Sequence, residues 1–182
     1  MEIYETGSPA EAYELSRMLL AGQEGVIVVR SVGPAVWTGR LSTFDAEYCA
    51  EHGIPVAYGE YIGGSIVTAD GDLSVMWITY GKNDYARRAA DAMLELLRIH
   101  GISAEIDGND VLADGKKVAS WAGATTTTGW YQGAFHASVG LDPELIRRIC
   151  TKPMEKTPGA LSQYGIDAEK ILHTIDPIVY HL

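Results

Sequence analysis

Residues 109–120 read Asn-Asp-Val-Leu-Ala-Asp-Gly-Lys-Lys-Val-Ala-Ser. Two short strand-like pieces flank an Asp-Gly pair, which is typical of a tight β-hairpin turn. Because side chains alternate across a strand, Lys117 faces away from Lys116 and Val118. An ammonium group on an inward face needs an anionic partner, such as a carboxylate or a phosphate. The segment therefore predicts a hairpin in which Lys117 either binds an anion or is a solvated edge residue.

Other strand-like and helix-like patterns extend on both sides of this hairpin. Strands are predicted at residues 25–29, 35–38, 73–80, 102–106, 110–113, 117–121 and 131–139. Helices are predicted at residues 8–20, 44–52, 84–100, 143–150 and 167–174. The first two strands are expected to form a hairpin, the third to be central, and the last four to form a meander. Because no regular βαβ alternation occurs, the pattern predicts an α+β domain with a mainly antiparallel or mixed sheet flanked by helices.

The composition excludes several classes of protein. With 182 residues, 47% of them hydrophobic and 21% charged, the chain is expected to form one folded domain over residues 1–182. Its net charge of −10 disfavours general binding to nucleic acids or anionic membranes. The two cysteines, Cys49 and Cys150, lack the spacing of a disulfide framework or a zinc site. No apolar run approaches the roughly 20 residues of a membrane span, and the acidic N-terminus does not resemble a signal peptide, so a cytoplasmic location is predicted.

Two further stretches contain residue types that occur in ligand-binding sites. Residues 61–67 read Tyr-Ile-Gly-Gly-Ser-Ile-Val, and adjacent glycines allow backbone N–H groups to approach an anion or a ligand carbonyl. A tight turn or a bulge explains the same glycines equally well. Residues 125–136 read as a polar loop followed by an aromatic strand. The isolated His136 at its end favours a core or surface role rather than a catalytic one.

Five motifs occur in order along nearly the whole chain. They are Val-Trp-Thr-Gly-Arg at residues 36–40, Ala-Glu-Tyr at 46–48 before His-Gly-Ile-Pro-Val at 52–56, Gly-Gly-Ser-Ile-Val at 63–67 with Asp-Gly-Asp-Leu at 70–73, Asn-Asp at 109–110 with Gly-Lys-Lys-Val-Ala at 115–119, and Gln-Gly at 132–133. The ordered set resembles the biotin/lipoate protein ligase superfamily. Within it, the chain is similar to the lipoate-protein ligase catalytic domain.

The resemblance implies a fold of the class II aminoacyl-tRNA synthetase and biotin ligase type. It also implies an activity, in which lipoate or octanoate reacts with ATP to give an acyl adenylate and the acyl group passes to a lysine of a carrier domain. ATP and Mg²⁺ then enter as substrates, without a permanently bound cofactor. The implied partner is a lipoyl-carrier protein. From the resemblance we expect residues 1–182 to be a single catalytic domain without a C-terminal accessory domain, which a separate chain would supply if one is needed.

The resemblance also implies a set of site residues. Lys117 matches the essential lysine of the family, and a fixed ammonium group stabilises the charge that develops during adenylation. Asp110 is the implied ligand of Mg²⁺. The acyl chain is expected to contact Trp37, Val67 and Trp77. The residues implied to bind substrate or nucleotide are Gly63, Gly64, Ser65, Ile66, Asn109, Asp110 and Arg40.

The chain departs from the family pattern beside the glycines. Gly59 and Glu60 occur where the family carries two arginines, so an anion replaces cations next to the expected phosphate site. Ser65 replaces the third glycine, and Thr68-Ala69 replaces the expected histidine. Adenylate binding then depends on another cation, for which Arg40 and Arg30 are the candidates.

Two alternative functions remain, one suggested by related families and one by these departures. One is an octanoyl or lipoyl transferase that takes its acyl group from an acyl carrier and uses Cys150 as the nucleophile. The surrounding Ile-Cys-Thr-Lys-Pro, at residues 149–153, lacks the Pro-Cys-Gly setting of that family and favours a structural cysteine. The other alternative is a non-catalytic relative that binds the ligand but has lost adenylation.

Overall fold

The computed structural model describes residues 1–41, 43–59, 65–81 and 83–180, and its strands and helices mostly follow the sequence pattern. The strands are β1 (Glu2–Thr6), β2 (Gly25–Arg30), β3 (Ala35–Thr38), β4 (Val56–Tyr58), β5 (Ser65–Thr68), β6 (Leu73–Tyr80), β7 (Ala104–Asp107), β8 (Asp110–Ala113), β9 (Lys116–Thr125) and β10 (Trp130–Ala137). The helices are α1 (Pro9–Leu20), α2 (Ala46–Glu51), α3 (Tyr85–Ile99), α4 (Pro143–Ile149) and α5 (Ala168–Val179). No helix in the described part of the chain is long and apolar enough to cross a membrane.

The strands form two sheets. The larger has the order β1-β2-β6-β10-β9-β8-β7, and the smaller has the order β4-β3-β5. In the larger sheet β1 and β2 are parallel and the other neighbours are antiparallel. In the smaller sheet β3 is parallel to β4 and antiparallel to β5. The predicted α+β class with a mixed sheet is therefore confirmed, as are the interior position of β6 and the meander from β7 to β10.

Helices cover both faces of the larger sheet. On one face α3 and α5 pack on a core that contains the fully buried Trp77 and Phe135. On the other face α1 and the smaller sheet pack against Met76 and Ile78. The predicted role of Trp77 as a wall for an acyl chain is wrong, because its side chain lies on the α5 side and its indole N–H donates to the Ile178 carbonyl at 2.9 Å.

Local signals set the helix ends. Ser8 caps α1 by accepting a hydrogen bond from the Glu11 N–H, and Asp45 caps α2 in the same way. Gly101 follows α3 with a φ of +73°, a left-handed conformation that glycine adopts without strain. α5 is longer than predicted and continues through Pro177 to Val179, because its apolar side packs on the core.

The predicted hairpin of β2 and β3 is wrong, because the two strands lie in different sheets. After β2 the Ser31 N–H donates to the Asp72 carbonyl and the Ser31 carbonyl accepts from the Gly71 N–H, so the chain follows the turn before β6 instead of reversing. β1 was not predicted, because its short acidic sequence lacks a strand pattern. It forms the edge of the larger sheet by pairing with β2.

Candidate active site

A row of polar side chains crosses four neighbouring strands of the larger sheet. Ser74 of β6 lies opposite His136 of β10, His136 lies opposite Ser120 of β9, and Ser120 lies opposite Asp110 of β8. Residues directly opposite one another project from the same face of a sheet. This face is the one that carries Met76 and the smaller sheet, so the row lies between the two sheets.

A cavity of about 330 Å³ lies against this row. On the sheet side its lining is polar and consists of Asp110, Lys117, Ser120, His136 and Ser138. The rest of the lining comes from β5, α4 and the segments on either side of α4, and it is mainly apolar: Ser65, Ile66, Val67, Leu141, Ile146, Cys150, Pro153, Met154, Glu155, Lys156 and Pro158. The cavity thus combines charged groups around Asp110 with an apolar wall.

Two lysines share one carboxylate in this cavity. Lys117 Nζ lies 2.7 Å from Asp110 Oδ1, and Lys156 Nζ lies 2.9 Å from Asp110 Oδ2. Lys156 also donates to the Asp107 carbonyl at 2.7 Å. The Lys117 side chain remains 42% exposed, whereas that of Asp110 is 18% exposed. Lys117 is therefore held by Asp110 and is still accessible from the cavity.

The electrostatics keep this cluster charged. Burial acts to raise the pKa of Asp110, but hydrogen bonds and charges from Lys117 and Lys156 outweigh burial and hold the pKa below its usual value. The hydrogen bond to Asp110 raises the pKa of Lys156. At neutral pH the Asp110 carboxylate is therefore ionised, and it lies between the two lysine side chains.

The donor groups around Asp110 do not fit a magnesium ion. Both of its carboxylate oxygens accept hydrogen bonds from ammonium groups, so a magnesium ion there would lie against two positive charges. Among the described residues, no group of three or more His, Cys, Asp or Glu side chains is arranged to hold a metal ion. The arrangement favours a role for Asp110 in holding the two lysines.

His136 has buried polar partners. Its Nδ1 lies 2.9 Å from Ser74 Oγ, its Nε2 lies 3.3 Å from Ser138 Oγ, and Nε2 is 4.0 Å from Asp72 Oδ2. Burial, with a further contribution from the charge of Lys117, lowers the pKa of His136 to about 3. The imidazole is therefore neutral, and its contact with Asp72 is not an ion pair at neutral pH.

The neutral state of His136 predicts a pH-dependent stability. Because the unfolded chain binds the proton near the ordinary pKa of 6.5 and the folded chain binds it only near 3, stability is lost as the pH falls from about 6.5 toward 3. We expect the free energy of unfolding to fall more steeply over this range for the wild type than for His136→Gln, by up to about 1.4 kcal/mol per pH unit. Urea unfolding at several pH values measures both slopes, with the exposed His52→Gln as the control. Equal slopes for the wild type and His136→Gln would contradict the assignment.

The structure brings some of the predicted site residues together. Lys117, Asp110, Ser65, Ile66 and Cys150 line the one cavity, as does Val67. The Ser65 N–H donates to Thr43 Oγ1 at 3.0 Å, so this backbone donor is already engaged. Gly63, Gly64 and Glu60 lie outside the described residues.

Other predicted residues lie away from the cavity. Arg40 is exposed and does not line it, and Arg30 forms an ion pair with Glu169. Asn109 is exposed in the turn before β8, where its carbonyl accepts from the Trp121 N–H at 3.0 Å. Trp37 packs edge-on against Tyr13 in the core beneath α1.

Sequence reasoning missed five polar residues that line the cavity, which are Ser120, His136, Ser138, Glu155 and Lys156. A signal existed for His136, because Phe135 and Ala137 on either side are apolar and alternation places His136 on the opposite face. Lys156 lies in an irregular segment, and no local pattern indicates its partners.

Several solved structures that match this fold come from lipoate-protein ligases or from a protein with bound lipoic acid. Protein Ta0514 of T. acidophilum with bound lipoic acid matches with a TM-score of 0.77 at 17% identity, over 97% of this chain and 82% of that chain. A lipoate-protein ligase A bound with ATP matches with a TM-score of 0.76 at 17% identity, over 96% and 83%. A bi-partite lipoate protein ligase of Thermoplasma acidophilum, described with its E2 lipoyl domain, matches with a TM-score of 0.73 at 18% identity, over 97% and 80%. At these identities the likeness shows the fold alone.

The family is shown by the sequence itself. No curated protein matches the chain significantly. The profile of the lipoyl protein ligase A/B catalytic domain matches residues 17–171, which is most of the chain and includes both strands of the Lys117 hairpin. The chain therefore belongs to the lipoyl protein ligase A/B catalytic domain family.

Proposed function

We propose that this protein is a ligase that activates lipoate or octanoate with ATP and transfers the acyl group to a lysine of a carrier domain. A carboxylate oxygen attacks the α-phosphorus of ATP and pyrophosphate leaves. The amine of the carrier lysine then attacks the acyl carbon and AMP leaves. The observation that carries the proposal is the position of Lys117, which is held by Asp110 in a cavity with an apolar wall.

The charged side of the cavity suits adenylation. Negative charge develops on the α-phosphate and on the attacking carboxylate, and a fixed ammonium group stabilises that charge in the transition state. The ammonium group of Lys117 has three N–H donors, and the contact with Asp110 uses only one of them. The remaining donors are available to the phosphate and the carboxylate.

The apolar wall suits a medium-length acyl chain. Ile66, Val67 and Ile146 contribute aliphatic side chains to the apolar part of the lining. Burial of methylene groups against such side chains is favourable by about 0.8 kcal/mol for each group. The solved relatives with lipoic acid and with ATP support the choice of the two substrates. The E2 lipoyl domain studied with the bi-partite ligase supports a lipoyl-carrier domain as the acceptor.

A pyrophosphate-release assay tests this function. Purified protein with ATP in a magnesium-containing buffer is expected to release pyrophosphate only when lipoate or octanoate is added. Addition of a lipoyl-carrier domain should then yield acylated carrier, detected by its increase in mass. If no acid in a panel of carboxylic acids of graded length released pyrophosphate, adenylation would be excluded.

The position of Cys150 favours a second candidate, an acyl transferase. Cys150 lines the same cavity as Lys117, as a cysteine nucleophile accepting an acyl group from an acyl carrier would require. Burial raises the pKa of the Cys150 thiol, and the nearby charge of Lys117 opposes that rise only in part. The thiol is therefore mostly protonated at neutral pH, which makes the transferase the second choice.

Replacing Cys150 separates the two candidates. In Cys150→Ser we expect ATP-dependent pyrophosphate release within about twofold of the wild type, because adenylation needs no thiol. Acyl transfer from an acyl carrier is measured in parallel, with Cys150→Ala to exclude an effect of the serine hydroxyl. Loss of the ATP-dependent reaction in both folded variants would contradict an adenylation that needs no thiol, and loss of carrier-dependent transfer alone would show a thiol mechanism for the transferase.

A further inference from the structure

Few cations are available to a triphosphate in this cavity. Within the described ranges, the cationic side chains that line the cavity are Lys117 and Lys156. Arg30 is engaged with Glu169, and Arg40 lies outside the lining. The sequence also places Gly59 and Glu60 before the glycines, where cations were expected. Lys117 alone supplies one positive charge against the several negative charges of ATP.

Lys156 lies where a second phosphate-binding group is needed. It and Lys117 contact the two oxygens of the same Asp110 carboxylate, at 2.9 and 2.7 Å. The two ammonium groups therefore flank a single small anion. Lys156 Nζ also lies 3.1 Å from Asp107 Oδ2, and the Asp107 side chain is 62% exposed. A contact with so exposed a carboxylate is easily exchanged for another anion.

The backbone fixes the position of Lys156 relative to Lys117. The Lys117 N–H donates to the Thr157 carbonyl at 2.8 Å, and the Gly159 N–H donates to the Lys117 carbonyl at 2.8 Å. A Cβ atom at Gly159 would lie 2.9 Å from Lys116 Cβ, so glycine permits this close approach. The segment that carries Lys156 thus runs beside the start of β9 and is hydrogen-bonded to it.

We propose that Lys156 is a second substrate-binding cation, which contacts the phosphoryl oxygens of ATP together with Lys117 after releasing Asp107. This inference rests on the proposed ATP-dependent activity and names a residue of its nucleotide site. Asp110 remains between the two lysines and keeps both ammonium groups directed toward the cavity. Lys156 thereby supplies a charge that the sequence lacks at Gly59 and Glu60.

Direct binding of ATP tests the inference. Isothermal titration calorimetry of the whole protein with ATP, and separately with inorganic pyrophosphate, compares the wild type with Lys156→Gln. Because a hydrogen bond between charged groups is lost, we expect Lys156→Gln to weaken binding of both probes at least about tenfold. Lys152→Gln is the matched control, since Lys152 is an exposed lysine of the same segment outside this cavity. It should change binding less than about twofold.

A second variant and a kinetic readout exclude a purely structural role. Asp107→Asn removes the competing carboxylate, so ATP binding should be equal to that of the wild type or tighter. In Lys156→Gln the KM for ATP should rise while the KM for the acid and the melting temperature stay close to the wild-type values. Binding of ATP by the wild type and Lys156→Gln with equal affinity would overturn this inference alone. Absence of ATP binding by the wild type would overturn the proposed function as well.

Discussion

Lys117→Ala is expected to reduce acid-dependent pyrophosphate release by at least about 100-fold, the loss that follows removal of one fixed donor to a developing negative charge. The variant keeps the cavity but leaves Asp110 paired with Lys156 only. Because Lys117 is 42% exposed and contributes little to the core, we expect the protein to remain folded. A continuous pyrophosphate assay at saturating ATP and acid measures kcat, and circular dichroism verifies the fold.

Lys116→Ala is the matched control for this substitution. Lys116 is the preceding residue of β9, is exposed, and does not line the cavity, so its removal changes the net charge equally without affecting the site. Its activity should stay within about twofold of the wild type. Lys117→Arg should recover only part of the activity, because a planar guanidinium does not present its donors as an ammonium group does. If Lys117→Ala kept more than a tenth of the wild-type rate, Lys117 would not be the catalytic cation.

The hairpin that carries Lys117 was predictable because its signal is local. Asp114 and Gly115 both have positive φ angles, +48° and +74°, which Asp-Gly pairs adopt at low cost. Alternation from this turn placed Lys117 and Lys116 on opposite faces. The helices followed from caps and apolar spacing in the same way, since every residue needed for the prediction lies within a few positions of the element.

The pairing of β2 and β3 was not predictable from local signals. Turn residues between the two strands suggest a hairpin, but Val36 pairs instead with Val56 and Val67, which lie 20 or more residues further along the chain. A tight turn is one of several ways for a chain to leave a strand. Burial against distant partners decides among them, and no short window of sequence contains that information.

The predicted site residues likewise have partners nearby in the sequence, whereas the missed ones have distant partners. Lys117 and Asp110 belong to one hairpin, in which Lys117 lies opposite Leu112, two residues from Asp110, so they are near each other within one local element. Lys156 reaches Asp110 only because the segment after α4 returns to the start of β9. His136 gains its role from the register of β10 between β6 and β9, which depends on the whole sheet.

Asp72, in the turn before β6, connects the segment after β5 with the segment after β10. Its Oδ1 accepts from the N–H groups of Val139 at 2.6 Å and Gly140 at 2.9 Å, and its Oδ2 accepts from the Ala69 N–H at 2.9 Å. The side chain is fully buried. Burial raises the pKa of Asp72 to about 6, although the three N–H donors favour the charged form. Above pH 7 the carboxylate is therefore ionised and accepts from three backbone N–H groups, of which those of Ala69 and Val139 belong to buried residues.

Asp72→Ala is accordingly expected to lower the free energy of unfolding by at least about 2 kcal/mol, because each of the two buried N–H groups left without a partner costs about 1–3 kcal/mol. Urea unfolding at pH 7.5 measures the loss, with the exposed Asp70→Ala as the control that should change stability by less than about 0.5 kcal/mol. Asp72→Asn should lie between them, since an amide oxygen accepts from Val139 and Gly140 while the amide nitrogen opposes the Ala69 N–H. A loss below about 1 kcal/mol for Asp72→Ala would mean that water replaces the carboxylate, and that Asp72 does not hold the end of β10 next to the cavity.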